Sequence, residues 1–255
     1  MKQLPQADAV RALAWLDERS ADGGFTGYDA TGWDAKVWIV HAMYETDELP
    51  SGITHDDVHR MELAAGTREP AMIGDINVEE VLAEGKVVGS SLGSSGWPGP
   101  GWHRLLWSEL AARLEHDPYA LDVPPCIRSF PYSSWPVNIA PPAEGSLDRE
   151  QFMRLLKHLA EVSDDGYRTM GSAYCSPLAS GDFDNHTVFR CELQELREIY
   201  DDEDLAGSPN NVWPDDRTWL TYTDEDLWAT KVSGSRQLIG RLIADDELET
   251  VVLDF

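Results

Sequence analysis

The sequence predicts an α+β fold with a mainly helical N-terminal half and an antiparallel mixed sheet with helices in the C-terminal half. Apolar residues in the first third recur at the three-to-four-residue spacing of helices. Residues 218–253 have the pattern of a hairpin, a helix and a strand, and no parallel strand–helix–strand rhythm precedes them. The strands are therefore expected to pair antiparallel.

Three helices are predicted between residues 9 and 66. The first contains the apolar residues of 9–16 and ends at the glycines that follow Asp22. The second begins near Trp33, and its apolar stripe comprises Val37, Trp38, Val40, His41 and Tyr44. The third is expected to begin at Thr54, because Thr54 and Asp57 resemble a capping box with Asp in place of the preferred Glu, and to end at Gly66.

The middle of the chain is less regular. Short strands are predicted at 71–76 and 86–89, on either side of a turn or helix at 78–83. The glycine-rich segment 89–101 lacks the Gly-Lys-Ser/Thr end of a phosphate-binding loop, so we expect a surface loop or a flap. A helix is predicted at 103–115.

Prolines suggest a division of the chain. Residues 118–142 contain seven of them, and prolines interrupt both helices and sheet ladders. We therefore predict a helix-rich part at 1–117, a connecting arm at 118–145 and an α+β part at 146–255. The alternative is one compact domain in which the arm packs against both halves.

The C-terminal part has the clearest patterns. A helix capped by Ser146 is predicted at about 148–162, and strands are predicted at 171–178 and 186–196. The segments 218–223 and 227–232 are aromatic and β-branched, and an acidic turn separates them, which is typical of a hairpin. A helix after Gly234 and a strand at 250–253 complete this hairpin–helix–strand unit.

Charge and composition exclude several classes of function. The chain has 46 Asp and Glu against 20 Lys and Arg, a net charge of −26, yet its ten Trp argue against disorder. Such a chain is not expected to bind nucleic acids or anionic membranes, both of which require exposed cations. The three cysteines are far apart, and the first residues lack the apolar segment of a secretory signal, so we expect a cytoplasmic protein.

A histidine group suggests a divalent metal site as one alternative. His55 and His59 are four residues apart on one predicted helix, and His41 has the same spacing from Glu45 on the preceding one. If those helices pack antiparallel, the side chains of His41, His55 and His59 and the carboxylate of Glu45 are expected to converge on a metal. The simpler interpretation is a capped helix with surface histidines and no cofactor.

The acidic C-terminal block suggests a protein-binding surface. Residues 200–255 hold fourteen Asp and Glu against four Lys and Arg, together with large aromatic residues. The predicted binding residues are Trp213, Asp215, Asp216, Trp219, Tyr222, Asp224, Asp226 and Trp228. We expect part of the aromatic set to be exposed within a rim of carboxylates, an arrangement that suits a basic protein or a small cation. The simpler interpretation places these aromatics in the core.

The sequence contains no motif that specifies a reaction, such as a GxSxG nucleophile elbow. The leading hypothesis is an acidic binding protein that recognises a basic protein partner, for example as an immunity-like neutraliser of a cationic toxin. The alternatives are a metal-dependent enzyme or small-molecule binder that uses the histidine group, and a scaffolding subunit.

Overall fold

The computed structural model describes residues 1–21, 23–82, 96–113, 135–202, 205 and 207–252. The strands of this part are Lys2–Gln3 (β1), Ala35–Val40 (β2), Met43–Thr46 (β3), Met72–Ile73 (β4), Ile76–Asn77 (β5), Trp102–Leu105 (β6), Ile139–Ala140 (β7), Met170–Cys175 (β8), Thr187–Glu192 (β9), Asn211–Pro214 (β10), Leu220–Thr223 (β11), Ala229–Gly234 (β12) and Thr250–Val251 (β13). The α-helices are Gln6–Asp17 (α1), His55–Ala65 (α2), Val78–Val81 (α3), Trp107–Arg113 (α4), Arg149–Val162 (α5), Pro177–Ser180 (α6) and Arg236–Ile243 (α7). Within the described ranges, 3₁₀ helices cover Gly166–Arg168 and Leu193–Asp201.

The main sheet has eight strands in the order β1-β9-β8-β10-β11-β12-β2-β13, and each strand is antiparallel to its neighbours. A second sheet has β3 between β6 and β7, and β4 pairs with β5 in a small hairpin. Strands β1 and β2 come from the N-terminal half, yet they lie in the same sheet as the C-terminal strands.

Both faces of the main sheet are covered. Along β2, Val37 and Ile39 belong to the apolar cluster that packs against α5 and α7. Trp38 and Val40 point to the other face, where α4 and the second sheet cover them. Helix α1 covers the neighbouring part of that second face, over β8 to β11. The molecule is therefore layered, with the sheet in the middle.

The helices with strong local signals lie where the sequence predicts them. Thr54 and Asp57 form the predicted capping box of α2, and Gly66 ends that helix with a positive φ of 68°. Helix α5 is also confirmed, although its N-cap residue is Asp148 and not Ser146. The hairpin β11–β12, helix α7 and strand β13 confirm the predicted C-terminal unit.

The predicted second helix is wrong, because its residues form strands β2 and β3. A short apolar run that is buried on both faces has neither helical nor alternating periodicity, so its pattern does not separate helix from strand. Pairing with β12 and β13 decides the outcome, and the β-branched residues Val37, Ile39 and Val40 favour it.

Other predicted elements differ at their ends. The segment 103–115 begins with β6 and becomes helical only at Trp107, and 71–76 forms the two short strands β4 and β5. The strand predicted at 171–178 ends at Cys175, because Ser176 caps α6 and Pro177 occupies its first turn. The strand predicted at 186–196 ends at Glu192, before a 3₁₀ helix.

The α+β class is confirmed in general, with antiparallel sheets and scattered helices. The division into a helical first half and a sheet-containing second half is not confirmed, because β2 lies inside the main sheet. The strand predicted at 86–89 and the arm residues 118–134 lie outside the described residues. The three-part division of the chain stays a prediction.

Candidate functional site

The antiparallel order of the sheet brings several acidic loops to one end. The register pairs Cys175 with Thr187, Tyr222 with Asn211 and Ala229 with Val40, so the chain segments next to these residues lie at the same end. We call segments 176–186, 207–210, 224–228 and 244–249 the acidic end. They contain no Lys or Arg, and their carboxylates are Asp182, Asp184, Asp224, Glu225, Asp226, Asp245, Asp246, Glu247 and Glu249.

The opposite end of the sheet has a mixed charge. We define it as segments 163–169 and 215–219 with the strand ends beside them, and it includes Arg168, Arg190 and Arg217. Asp215 forms a bidentate ion pair with Arg190, and Asp216 Oδ1 accepts a hydrogen bond from Thr218 Oγ1 at 2.8 Å. The two ends of the sheet therefore differ in charge. The segments of the acidic end carry only carboxylates, of which Asp245 is paired with Arg154 of α5.

This geometry separates the carboxylates that the sequence groups together. Asp224 and Asp226 lie at the acidic end, in the β11–β12 turn, whereas Asp215 and Asp216 lie at the opposite end, in the β10–β11 turn. The four predicted carboxylates are thus divided between the two ends of the sheet. The acidic end therefore becomes the candidate site.

The four predicted aromatic residues are buried, so the expectation that part of this set is exposed is wrong. Trp213 packs against α1, Trp219 lies in the cluster of α5 and α7, and Trp228 contacts Trp107 and Trp135. Tyr222 is also buried, and its ring lies 6.2 Å from Trp38. The reason is that layers cover both faces of the sheet, so the side chains of its inner strands enter a core on whichever face they lie.

Other apolar side chains are exposed at the acidic end. Phe183 is 66% exposed between Asp182 and Asp184, and Phe25 is 54% exposed. Leu178 on α6 is also exposed. Sequence reasoning missed Phe183 and Phe25. The available signal was an aromatic residue in a turn of Gly, Asp and Asn, a place where a buried side chain is not expected.

Hydrogen bonds bring the loop of Phe25 to this end of the sheet. Tyr174 donates to the carbonyl oxygen of Gly24 at 2.8 Å, and Thr26 donates to Asp224 Oδ2 at 3.0 Å. The amide of Tyr28 donates to Asn211 Oδ1 at 2.7 Å. The N-terminal loop 24–28 is therefore part of the candidate site.

The turn that carries Phe183 is held by its own polar groups. Gly181 ends α6 with a φ of 68°, and Asp182 Oδ1 accepts hydrogen bonds from the amides of Asp184 and Asn185 at 3.1 and 3.0 Å. The hydrogen bond from Asp184 is the main cause that holds the pKa of Asp182 below its ordinary value. Asp182 therefore stays ionised, and Phe183 projects from a defined turn.

The β11–β12 turn is anchored by a half-buried carboxyl group. Glu225 Oε1 accepts hydrogen bonds from Ser176 Oγ at 2.8 Å and from Asn210 Nδ2 at 2.7 Å. Burial raises the pKa of Glu225 above its ordinary value. Asp224 accepts from Tyr222 Oη at 2.7 Å, whereas Asp226 is exposed. Glu225 and Asp224 thus position the turn, and Asp226 faces the solvent.

The predicted metal group does not assemble around His41. This residue is buried after the end of β2, its Nε2 lies 3.0 Å from Thr230 Oγ1, and its Nδ1 donates to the carbonyl of Ala143 at 3.3 Å. Burial lowers the pKa of His41 to about 3. Glu45 lies on β3 and pairs with Arg113 at 2.7 Å, so the predicted helical spacing of His41 and Glu45 is wrong. Within the described ranges, no three His, Cys, Asp or Glu form a group suited to a metal.

His55 and His59 lie together at a cavity of about 520 Å³ beside α2. The other residues that line it are Leu49, Pro50, Ile53, Val58, Glu62, Arg68 and Val137. Burial lowers the pKa of His59, and the positive charge of Arg68 lowers it further. The His59 imidazole is therefore neutral at neutral pH, and the walls of the cavity are largely apolar.

Comparison with known proteins finds no matching family model, no matching curated protein and no matching solved structure. Among the helices that the structure describes, each is too short or too polar to cross a lipid bilayer.

Proposed function

We propose that this chain is a binding protein that recognises a basic protein through the acidic end, in the manner of an immunity protein that neutralises a cationic toxin. The observation that carries the proposal is the placement of exposed Phe183 and Phe25 among carboxylates, in segments with no Lys or Arg. Charge complementarity speeds encounter with a basic surface. Aromatic anchors that become buried in the interface supply much of the affinity.

The arrangement of the acidic end also supports rapid and specific binding. The Asp182 turn and the Glu225 anchor fix the loops before a partner arrives, so less conformational entropy is lost on association. The carboxylates of Asp184 and Asp226 are exposed and face solvent at positions where a cation of the partner can reach them. Trp213, Trp219, Tyr222 and Trp228 contribute to this proposal only as the core that supports the loops.

The three-histidine alternative receives less support from the geometry. His41 contacts β12 and the segment at Ala143, and none of these groups lines the cavity that contains His55 and His59. We therefore propose no function that requires all three histidines.

Matched charge reversals test the proposal. The probes are purified basic proteins that include ribonucleases and deoxyribonucleases, and binding is measured by calorimetry at low and at high salt. We expect Asp184→Lys combined with Asp226→Lys to weaken the tightest complex by at least about tenfold at low salt. Phe183→Ala should weaken it by about fivefold or more, because an aromatic anchor is lost.

The control has the same change in net charge at the other end of the sheet. Asp164→Lys combined with Asp165→Lys alters two exposed carboxylates there, and we expect less than about threefold loss of affinity. Equal losses for the two double variants would show that net charge alone governs binding. That result, or binding that is insensitive to salt, would reject the acidic end as the binding surface.

A further inference from the structure

The cavity beside α2 is built by two segments that are far apart in sequence. The amide of His55 donates to the carbonyl of Trp135 at 2.9 Å, and the amide of Val137 donates to the carbonyl of Ile53 at 2.9 Å. These bonds hold segment 135–139 against the start of α2, so Val137 and Ile53 form adjacent parts of one wall. Its volume of about 520 Å³ falls in the range of about 300–1,000 Å³ that is usual for small-molecule sites.

One cation and one anion lie together at this cavity. Gly66 reverses the chain after α2, so Arg68 returns towards the helix and its Nη1 lies 3.9 Å from Glu62 Oε2. Glu62 follows His59 by three residues, so the two side chains lie on the same side of α2. The charged pair therefore lies beside the neutral imidazole of His59, next to the apolar wall.

The charges discriminate between classes of ligand. A simple anion that approaches Arg68 meets the carboxylate of Glu62. A simple cation that approaches Glu62 meets the guanidinium of Arg68. A zwitterion places its carboxylate near Arg68 and its ammonium near Glu62, so neither group of the cavity faces a like charge.

We propose that this cavity binds a small zwitterion with an apolar body, such as an apolar amino acid or a short apolar peptide. Leu49, Ile53, Val58 and Val137 contact the apolar body, and Arg68 and Glu62 pair with the two charges. This site is separate from the acidic end and does not depend on the proposed basic partner.

Three probes with the same apolar body test the proposal. Phenylalanine is the zwitterion, 3-phenylpropionate is the anion and phenethylamine is the cation. Each is titrated into the isotope-labelled full chain while the amide signals of residues 53–62, 68 and 137 are followed by NMR. We expect phenylalanine to bind with a dissociation constant of about 1 mM or lower, and at least about tenfold more tightly than the other two probes.

Charge-neutral variants separate a binding role from a structural one. Arg68→Gln should weaken the binding of phenylalanine about tenfold. It should strengthen the binding of phenethylamine, because the repulsive guanidinium is removed. Glu62→Gln should weaken phenylalanine and strengthen 3-phenylpropionate. If a substitution only damaged the cavity, the affinity for all three probes would fall together. The control Arg11→Gln changes an exposed ion pair on α1 and should leave all three affinities unchanged.

Equal affinity for the three probes would overturn the proposal, as would the absence of shifts at the lining residues up to about 10 mM probe. An equal fall in the affinity for all three probes in both variants would also overturn it. A failure of the basic-partner experiment would leave these results unaffected, because the two tests use different residues and different probes.

Discussion

His41 is a buried polar residue whose interactions are made in its neutral form. Its Nδ1 donates to Ala143, its Nε2 contacts Thr230, and Thr230 in turn contacts Thr223 Oγ1 at 2.7 Å. A proton added to this imidazole would place a charge in the interior without a carboxylate partner among these contacts. That cost is why burial lowers the pKa of His41 to about 3.

Acidification should therefore destabilise the protein through His41. The unfolded chain binds a proton at this histidine below pH 6.5, whereas the folded protein does so only near pH 3. Stability from His41 is thus present above pH 6.5 and is lost as the pH falls. We expect a loss of about 2 kcal/mol between pH 7 and pH 5 from this group, measured by urea unfolding.

The variant His41→Gln isolates this contribution. Gln does not titrate in this range, so its unfolding free energy should fall less steeply between pH 7 and pH 5 than that of the unchanged protein. The carboxyls with lowered pKa, such as Asp57 and Asp245, lose their contributions below this window and are common to both proteins. Identical pH slopes for the two proteins would contradict a buried neutral His41.

Helix α2 begins with a cap made by two residues that are close in sequence. Thr54 Oγ1 accepts from the amide of Asp57 at 3.1 Å, and Asp57 Oδ2 accepts from the amide of Thr54 at 2.9 Å. These two bonds satisfy amides at the start of the helix that presents His55 and His59 to the cavity.

Loss of this cap should weaken both the helix and the cavity. We expect Thr54→Ala to lower the free energy of unfolding by about 1 kcal/mol and to weaken phenylalanine binding. The matched control is Ser235→Ala, which removes the cap of α7, where Ser235 Oγ accepts from the amide of Leu238 at 3.3 Å. Both variants should lose similar stability in urea unfolding, but only Thr54→Ala should affect ligand binding. Equal affinities for phenylalanine in the two variants would show that binding does not depend on the cap of α2.

Elements that depend on nearby residues could be predicted, whereas those that depend on distant pairing could not. The caps of α2 and α7 and the periodic face of α5 are encoded within a few residues, so the sequence alone located these helices. The strand β2 pairs with β12, and Val40 lies opposite Ala229. No local pattern identifies a pairing strand so distant in sequence. The residues from Val37 to Val40 are therefore wrongly predicted to be helical.

The difference in charge between the two ends of the molecule depends on the order of the strands. The excess of carboxylates is visible in the sequence, and Asp224 and Asp226 were among the predicted binding residues. Their grouping with Asp182 and Asp184, and their separation from Asp215, follow only from the register of β8 to β12. The same order places Trp213 and Trp219 in the core.

Chemical-shift mapping of the isotope-labelled chain with the tightest-binding basic protein would locate the binding surface. We expect the largest perturbations at residues 181–185, at 224–226 and at Phe25 and Thr26, with small ones at 164–168 and 215–217. These shifts should diminish at high salt and in Asp184→Lys combined with Asp226→Lys. Perturbations that are largest at the opposite end, or that spread evenly over the surface, would contradict binding at the acidic end.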